Sequence, residues 1–135
     1  MSYMELKKLL TPPKTIAVVG LSDKPDRPSY RVASYLREHG FTIIPVNPMI
    51  KEFLGIPSYP SVRAIPEEVH IDIVDIFRRS EEVPALVEEV IQTGRRPVIW
   101  LQEGVISEEA KQSAKMQSMD VVMDTCLMKS HQAVE

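Results

Sequence analysis

Apolar residues occur in five short runs along this chain, and longer amphipathic segments lie between them. The runs cover residues 16–19, 43–46, 71–77, 98–101 and 121–123. Strands that are buried on both faces of a parallel sheet give continuous apolar runs of this kind, whereas half-exposed strands alternate apolar and polar residues. The pattern therefore predicts five buried parallel strands.

The clearest amphipathic segment follows the third run. One helix face carries apolar residues at three- and four-residue spacing, namely Val83, Leu86, Val87, Val90 and Ile91. Ser80 is the predicted N-cap of this helix, and Gly94 is predicted to end it. Further helices are predicted over residues 4–10 and 29–39, from Ser107 onward, and over residues 126–134. Residues 48–66 contain four prolines and no helical spacing, so a loop with one short strand is predicted there.

Strands that alternate with helices make an α/β domain, and right-handed crossovers favour a doubly wound sheet. Helices then cover both faces, which gives three layers, α/β/α. A length of 135 residues suits one domain. We therefore expect residues 1–135 to form a single domain around about five parallel strands.

Charge and composition exclude several classes of protein. Sixteen basic and nineteen acidic residues give a net charge of −3, and an extended nucleic-acid surface needs a clustered basic excess instead. No apolar stretch approaches the roughly 18 residues of a membrane span, and no secretory signal is evident. The single cysteine cannot form an internal disulfide. These features favour a cytoplasmic protein, and they leave room for a small anionic ligand, which needs only a few local donors.

In open α/β sheets, ligands bind beyond the carboxyl ends of the strands, where the strand order reverses. The residues that follow the five runs are 20–22, 47–48, 77–79, 102–104 and 124–126. The first of these loops leads into a predicted helix N-terminus, which favours anions. Gly20 permits close backbone approach, and Lys24 and Arg27 add positive charge. A phosphate site is one interpretation of this loop, and an ordinary turn with Ser29 as the helix cap is the other.

The usual nucleotide fingerprints are missing. The dinucleotide motif G-x-G-x-x-G is reduced to Gly20, and Asn47 stands where an acidic residue would bind the ribose hydroxyls. No G-x-x-x-x-G-K-[ST] sequence occurs either. These absences speak against an NAD-dependent enzyme and against a P-loop nucleotidase.

Several short motifs together resemble the small stand-alone CoA-binding proteins. The motifs are Val19-Gly20-Leu21-Ser22 with Pro25, Arg27 and Ser29, then Pro45-Val46-Asn47-Pro48, Gly55, Tyr59-Pro60-Ser61, Ile73-Val74-Asp75-Ile76-Phe77-Arg78, Trp100-Leu101-Gln102-Glu103-Gly104-Val105 and Val122-Met123-Asp124-Thr125-Cys126-Leu127. The resemblance extends from about residue 14 to residue 130. It implies a Rossmann-like domain, related to the CoA-binding domain of the succinyl-CoA synthetase alpha subunit, that binds coenzyme A or an acyl-CoA.

The resemblance also implies a role for each candidate site residue. The pyrophosphate region would be held by Gly20, Leu21, Ser22, Arg27 and Ser29. The adenosine side would be flanked by Asn47, Pro48 and Lys51, with Lys51 a candidate for the 3′-phosphate. Phe77 and Arg78 would border the cofactor, and the pantetheine end would be lined by Gln102, Glu103 and Gly104. Thr125 departs from the arginine that this family is expected to carry before the cysteine.

Three functions follow from these features. The first is non-catalytic binding of CoA or an acyl-CoA. The second is a CoA-binding subunit or fragment of an acyl-CoA synthetase, which needs an ATP-grasp-type protein partner and a catalytic histidine from another domain. The third is a regulator that binds NAD or a similar dinucleotide. We predict no catalytic residue and no metal site, because His39, His70 and His131 lie outside the candidate loops and no ligand spacing is present.

Four other features leave alternatives open. Cys126 is either a buried apolar residue or a thiol that exchanges with CoA disulfide. Asp75 is a candidate to cap the backbone at a strand end, and Trp100 is predicted to lie in the core. A homodimer face is conceivable where four methionines cluster in sequence, at Met116, Met119, Met123 and Met128.

Overall fold

The computed structural model describes residues 1–135 and contains seven strands. They are β1 Thr15–Val19, β2 Thr42–Val46, β3 Glu52–Phe53, β4 Ile56–Pro57, β5 Ile73–Ile76, β6 Val98–Leu101 and β7 Val121–Val122. Five of them form one sheet in the order β2-β1-β5-β6-β7, and every pairing in it is parallel. The prediction of five parallel strands is confirmed, although the third run yields a strand of only four residues.

Five α-helices accompany the strands. They are α1 Tyr3–Leu9, α2 Pro28–Glu38, α3 Val83–Gln92, α4 Glu108–Met116 and α5 Leu127–Val134. Short 3₁₀ turns cover Val62–Ala64 and Ser80–Glu82. Helix α4 begins next to Ser107 as predicted, and Ser107 is its cap, because its hydroxyl accepts a hydrogen bond from the Ala110 N–H at 3.1 Å. No helix is both long and apolar enough to span a membrane.

The two faces of the sheet bury separate apolar cores. Alternate strand residues such as Ala17, Val74 and Ile99 face the core that includes α3 and α4. Their neighbours Ile73 and Trp100 face the other core, which includes α2 and α5. This division explains why the strands are apolar at successive positions, and it confirms the three-layer α/β/α Rossmann-like fold.

The sheet order fixes where a ligand site can form. The chain moves from β1 to β2 on one side and later returns to β5 on the other side of β1. The loops after β1 and β5 therefore diverge, and a crevice opens at the shared carboxyl edge. The ladder brings Val19 level with both Val46 and Ile76. The loops that follow these three strands therefore start side by side at the carboxyl edge of the sheet.

Two predicted local features are wrong. Residues 48–66 contain two short antiparallel strands, β3 and β4, joined by a turn at Leu54 and Gly55 with φ of 49° and 82°. Ser80 does not cap α3, because it begins a 3₁₀ turn and its hydroxyl accepts the Ile106 N–H from another loop at 3.0 Å.

The four methionines do not form one exposed patch. Met119 is buried in the core beneath α3 and α4, while Met116 is 84% exposed. Met128 packs against the core of the opposite sheet face.

Candidate functional site

Two adjoining cavities lie at the carboxyl edge of the sheet. The first has a volume of about 510 Å³, and it brings together six predicted residues, namely Gly20, Ser22, Arg27, Ser29, Asn47 and Phe77. The second, of about 530 Å³, brings together Phe77, Arg78, Gln102 and Glu103. Pro28 and Phe77 line both cavities, so the start of α2 and the end of β5 form their common wall. The predicted residues Leu21, Pro48, Lys51 and Gly104 line neither cavity.

The loop between β1 and α2 is held by its own serines. The hydroxyl of Ser29 accepts the Ser22 N–H at 3.0 Å, and the hydroxyl of Ser22 accepts the Lys24 N–H at 3.1 Å. Arg27 occupies the N-cap of α2 without a side-chain hydrogen bond to the helix. Ser29 is therefore not the helix cap, and it stabilises the loop that forms one wall of the first cavity.

Several backbone donors in this region make no hydrogen bond within the protein. Leu21 and Asp23 supply two such N–H groups in the loop, and Ser29 and Tyr30 supply two in the first turn of α2. The first turn of a helix leaves donors of this kind unpaired, and its dipole favours negative charge. Of these four residues, Asp23 and Ser29 line the first cavity, and with Lys24 and Arg27 their N–H groups suit an anionic ligand.

Asn47 ties the loops after β1 and β2 together. Its side-chain amide donates to the Leu21 carbonyl at 2.9 Å, and its amide oxygen accepts the Met49 N–H at 2.9 Å. Its backbone N–H donates to the Tyr59 carbonyl at 2.9 Å. A carboxylate at this position could not donate to Leu21, so an asparagine suits the contact where a dinucleotide fold would carry an acid.

Gly20 is required by a close approach within the protein. It has φ of 85°, and a Cβ atom there would lie 2.5 Å from the Phe77 carbonyl oxygen and 2.9 Å from Cδ of Arg78. Its N–H extends the ladder to the Val46 carbonyl at 2.8 Å. The glycine therefore lets the ends of β1 and β5 meet, and a side chain at this position would displace the wall between the two cavities.

The second cavity is bordered by charged side chains in pairs. Glu82 accepts hydrogen bonds from Arg78 at 2.6 Å and from Arg79 at 3.2 Å. These hydrogen bonds lower the pKa of the Glu82 carboxyl, and the bond to Glu82 raises the pKa of Arg78. Across the cavity, Lys129 lies 3.4 Å from Glu103.

Gln102 and Gly104 have structural partners. The buried Gln102 side chain accepts the Leu127 N–H at 3.0 Å and so satisfies the first turn of α5. The Gly104 N–H donates to the Asp124 carboxylate at 2.6 Å. Sequence reasoning missed this link between the loops after β6 and β7, because both partners are distant in sequence.

Helix α5 adds Met128 and Lys129, which the sequence prediction did not include, beside the already considered Cys126. Cys126 occupies its N-cap, is 6% exposed and lines the second cavity beside Met128 and Lys129. The burial of Cys126 agrees with its interpretation as a buried apolar residue. Because the residue also lines the cavity, exchange of its thiol with CoA disulfide stays a prediction. The sequence could have predicted that α5 lines the site, because this helix follows the last strand and so begins at the same sheet edge.

The buried Trp100 and the histidines lie outside both cavities. Trp100 is fully buried, as predicted, and donates its indole N–H to the Thr125 carbonyl at 2.9 Å. His131 is buried between α2 and α5, where its Nδ1 lies 2.6 Å from the Tyr35 hydroxyl and burial lowers its pKa. No group of three or more potential metal ligands is present.

Known proteins are similar to this chain over nearly its whole length. The family model described as CoA binding domain matches residues 14–132. The uncharacterized protein YneT of Bacillus subtilis is 45% identical over 130 residues, which cover 96% of this chain and 94% of that protein. The ADP-forming acetate–CoA ligase II of Archaeoglobus fulgidus is 32% identical over 105 residues, which cover 76% of this chain and 15% of the ligase.

A solved structure has the same fold over the whole length. It is described as a hypothetical protein from Pyrococcus horikoshii OT3 and is 36% identical to this chain. The superposition covers 99% of this chain and 92% of that one, with a TM-score of 0.91. That protein and this chain therefore share one fold over nearly their whole lengths.

Proposed function

Because this chain belongs to the CoA binding domain family, we propose that residues 1–135 act as a single domain that binds coenzyme A or an acyl-CoA without catalysis of its own. The observation that carries the proposal is the pair of cavities joined at Pro28 and Phe77, at the point where the strand order reverses. An elongated ligand with an anionic part and an uncharged arm fits two such cavities.

The first cavity suits the phosphate-bearing half of the ligand. The unpaired N–H groups of Asp23 and Ser29, with Lys24 and Arg27, would receive the diphosphate. Asn47 and its neighbour Pro48 would lie beside the adenosine, and Leu21 would act through its carbonyl contact with Asn47. Lys51 follows Ile50, which lines this cavity, and would reach the 3′-phosphate from the rim.

The second cavity suits the pantetheine arm. Its wall combines apolar groups such as Val32, Phe77 and Val105 with the polar edge formed by Gln102 and Glu103. Gly104 would help indirectly, because its bond to Asp124 fixes the loop after β6. The arm would then end near Cys126. The lone cysteine, which is buried, also agrees with a reducing compartment such as the cytoplasm.

A second candidate function is supported by the ligase relatives. The chain spans only 15% of the Archaeoglobus fulgidus acetate–CoA ligase II, so a CoA-binding domain of this kind also occurs inside a larger protein. This favours a role in which the domain lends its site to a partner that supplies the catalytic histidine and an ATP-grasp domain. An NAD-type regulator is disfavoured by the Asn47 contact with Leu21.

Titration of the purified chain with CoA, acetyl-CoA, dephospho-CoA and NAD tests the proposal. At 100 times its dissociation constant, a ligand adds about 2.7 kcal/mol of stability, and for this chain length we expect CoA to raise the melting temperature by roughly 8–10 °C. NAD should give no comparable rise. A rise with NAD and none with CoA would contradict the proposal.

A matched pair of variants locates the anion site. Arg27 lies at the N-cap of α2 beside the first cavity, and Arg37 lies in the last turn of the same helix. Arg27→Gln should weaken CoA binding about tenfold, because a charge-assisted bond to phosphate is lost. Arg37→Gln removes the same charge far from the cavity and should leave the affinity unchanged. Equal effects of the two substitutions would refute the placement.

A further inference from the structure

Arg78 stands at the junction of the two cavities. It follows Phe77 at the end of β5, and its side chain, 39% exposed, lines the second cavity. The Cδ atom of Arg78 lies 2.9 Å from the place where a Cβ of Gly20 would be. The aliphatic stem of the arginine therefore lies against the loop that forms the first cavity.

Glu82 fixes the direction of the Arg78 guanidinium. Its Oε2 accepts Nε–H of Arg78 at 2.6 Å, while its Oε1 accepts Nη2–H of Arg79 at 3.2 Å. Glu82 ends a 3₁₀ turn and is followed by the fully buried Val83, so its backbone is anchored at the start of α3. Both oxygens of the carboxylate are thus occupied on a rigid element. Glu82 does not line the second cavity, although with Arg78 it borders a smaller cavity of about 340 Å³ beside Gly20.

The bond through Nε leaves the other end of the guanidinium available. Neither Nη1 nor Nη2 of Arg78 donates to a group of the protein. A planar guanidinium held at Nε presents its two terminal NH₂ groups in a fixed fork, which suits phosphate oxygens. We propose that Glu82 is a positioning residue, which holds Arg78 so that its terminal NH₂ groups meet the diphosphate of the ligand. This inference rests on the proposed CoA binding.

Two substitutions of Glu82 separate positioning from charge. Glu82→Gln removes the negative charge but keeps an oxygen that accepts Nε–H, whereas Glu82→Ala removes both. If Glu82 positions Arg78, Glu82→Gln should bind CoA within about twofold of wild type, and Glu82→Ala should bind about 3- to 10-fold more weakly. If only charge matters, both variants should bind the anionic ligand more tightly, and to the same degree. That second result would overturn the inference.

A double-mutant cycle with Arg78→Ala tests whether Glu82 acts through the arginine. The double variant should bind CoA no more weakly than Arg78→Ala alone, because the group that Glu82 positions is already absent. Additive losses would overturn the inference. Glu81→Ala is the matched control, since the neighbouring carboxylate is 72% exposed and only approaches Arg79, at 3.7 Å. It should leave the affinity unchanged.

A measurement without CoA keeps the inference separate from the proposed function. If wild type does not bind CoA, the proposed function fails, and the Nε–H resonance of Arg78 in the free protein still reports its position. That NMR signal should be sharp in wild type and in Glu82→Gln, absent in Glu82→Ala, and shifted in wild type by inorganic pyrophosphate. An unchanged signal in Glu82→Ala, or no shift with pyrophosphate, would overturn the inference.

Discussion

Asp75 lies in the middle of the central strand, and neither oxygen of its carboxyl has a hydrogen-bond partner. The residue is fully buried beside Val18 and Trp100 in the ladder, and burial raises the pKa of its carboxyl well above the usual value. The sequence prediction that Asp75 caps a strand end is wrong. Asp72 has that role, because it accepts the Thr15 N–H at 2.8 Å.

We expect the stability of the protein to fall as pH rises, because of Asp75. In the unfolded chain this carboxyl ionises near pH 4, whereas in the folded chain it stays protonated to a higher pH. Between these two pKa values, the free energy of unfolding loses about 1.4 kcal/mol per pH unit, and above the folded pKa the loss is complete. Urea unfolding of Asp75→Asn should show none of this decline.

The comparison between Asp75→Asn and wild type must be made as a function of pH. The stability difference between the two proteins should widen in favour of the variant as pH rises from 4. Asp26→Asn, which changes an exposed carboxylate, serves as the control and should follow the wild-type curve. A constant difference between Asp75→Asn and wild type would mean that the pKa of Asp75 is not raised in the folded protein.

The helices and long strands follow from spacing, and the shortest elements do not. Periodicity needs several residues to show itself, so α3 and β1 are evident while β3 and β4, with two residues each, are not. Caps depend on partners that can be distant. The start of α4 near Ser107 was predicted, and this cap bonds locally to Ala110. Ser80 was predicted as a cap of α3 and instead accepts the N–H of the distant Ile106.

The β3–β4 hairpin supports a prediction about Lys51. This exposed residue precedes β3, and its carbonyl accepts the Ser58 N–H at 2.9 Å, which fixes the backbone at the rim of the first cavity. If its ammonium group contacts the 3′-phosphate, Lys51→Ala should weaken CoA binding about 3- to 10-fold and leave dephospho-CoA binding unchanged. Calorimetric titration of both ligands measures this, with Lys7→Ala on α1 as the control. Equal losses for the two ligands would reassign Lys51.

The order of the five strands explains how much of the site was accessible from sequence. Loops that follow parallel strands meet at one edge, so Gly20, Asn47, Phe77 and Gln102 were placed at that edge before their contacts were known. The direction of each side chain depends on packing, which the sequence pattern does not give. Thus Gln102 bonds to α5, and Leu21 turns into the core with no exposed surface.

Residues of α2 line both cavities, but residues of α5 line only the second. CoA and a fragment without the pantetheine arm should therefore protect different amides from hydrogen exchange. Hydrogen exchange with CoA should slow the amides of residues 20–30 and also those at the start of α5 around Cys126 and Leu127. The fragment 3′,5′-ADP lacks the pantetheine arm and should protect only residues 20–30. Exchange in α4, which packs on the opposite face of the sheet, should not change with either ligand.

The comparison of the two ligands tests which cavity binds the phosphates and which binds the pantetheine arm. Protection at α5 by CoA alone would place the arm in the second cavity, since the two ligands differ only by the pantetheine phosphate portion. Equal protection at α5 by 3′,5′-ADP would instead mean that the phosphates occupy the far side of the second cavity, close to Lys129 on α5. The orientation of the ligand would then be the reverse of the one proposed, although the same sheet edge would still bind it.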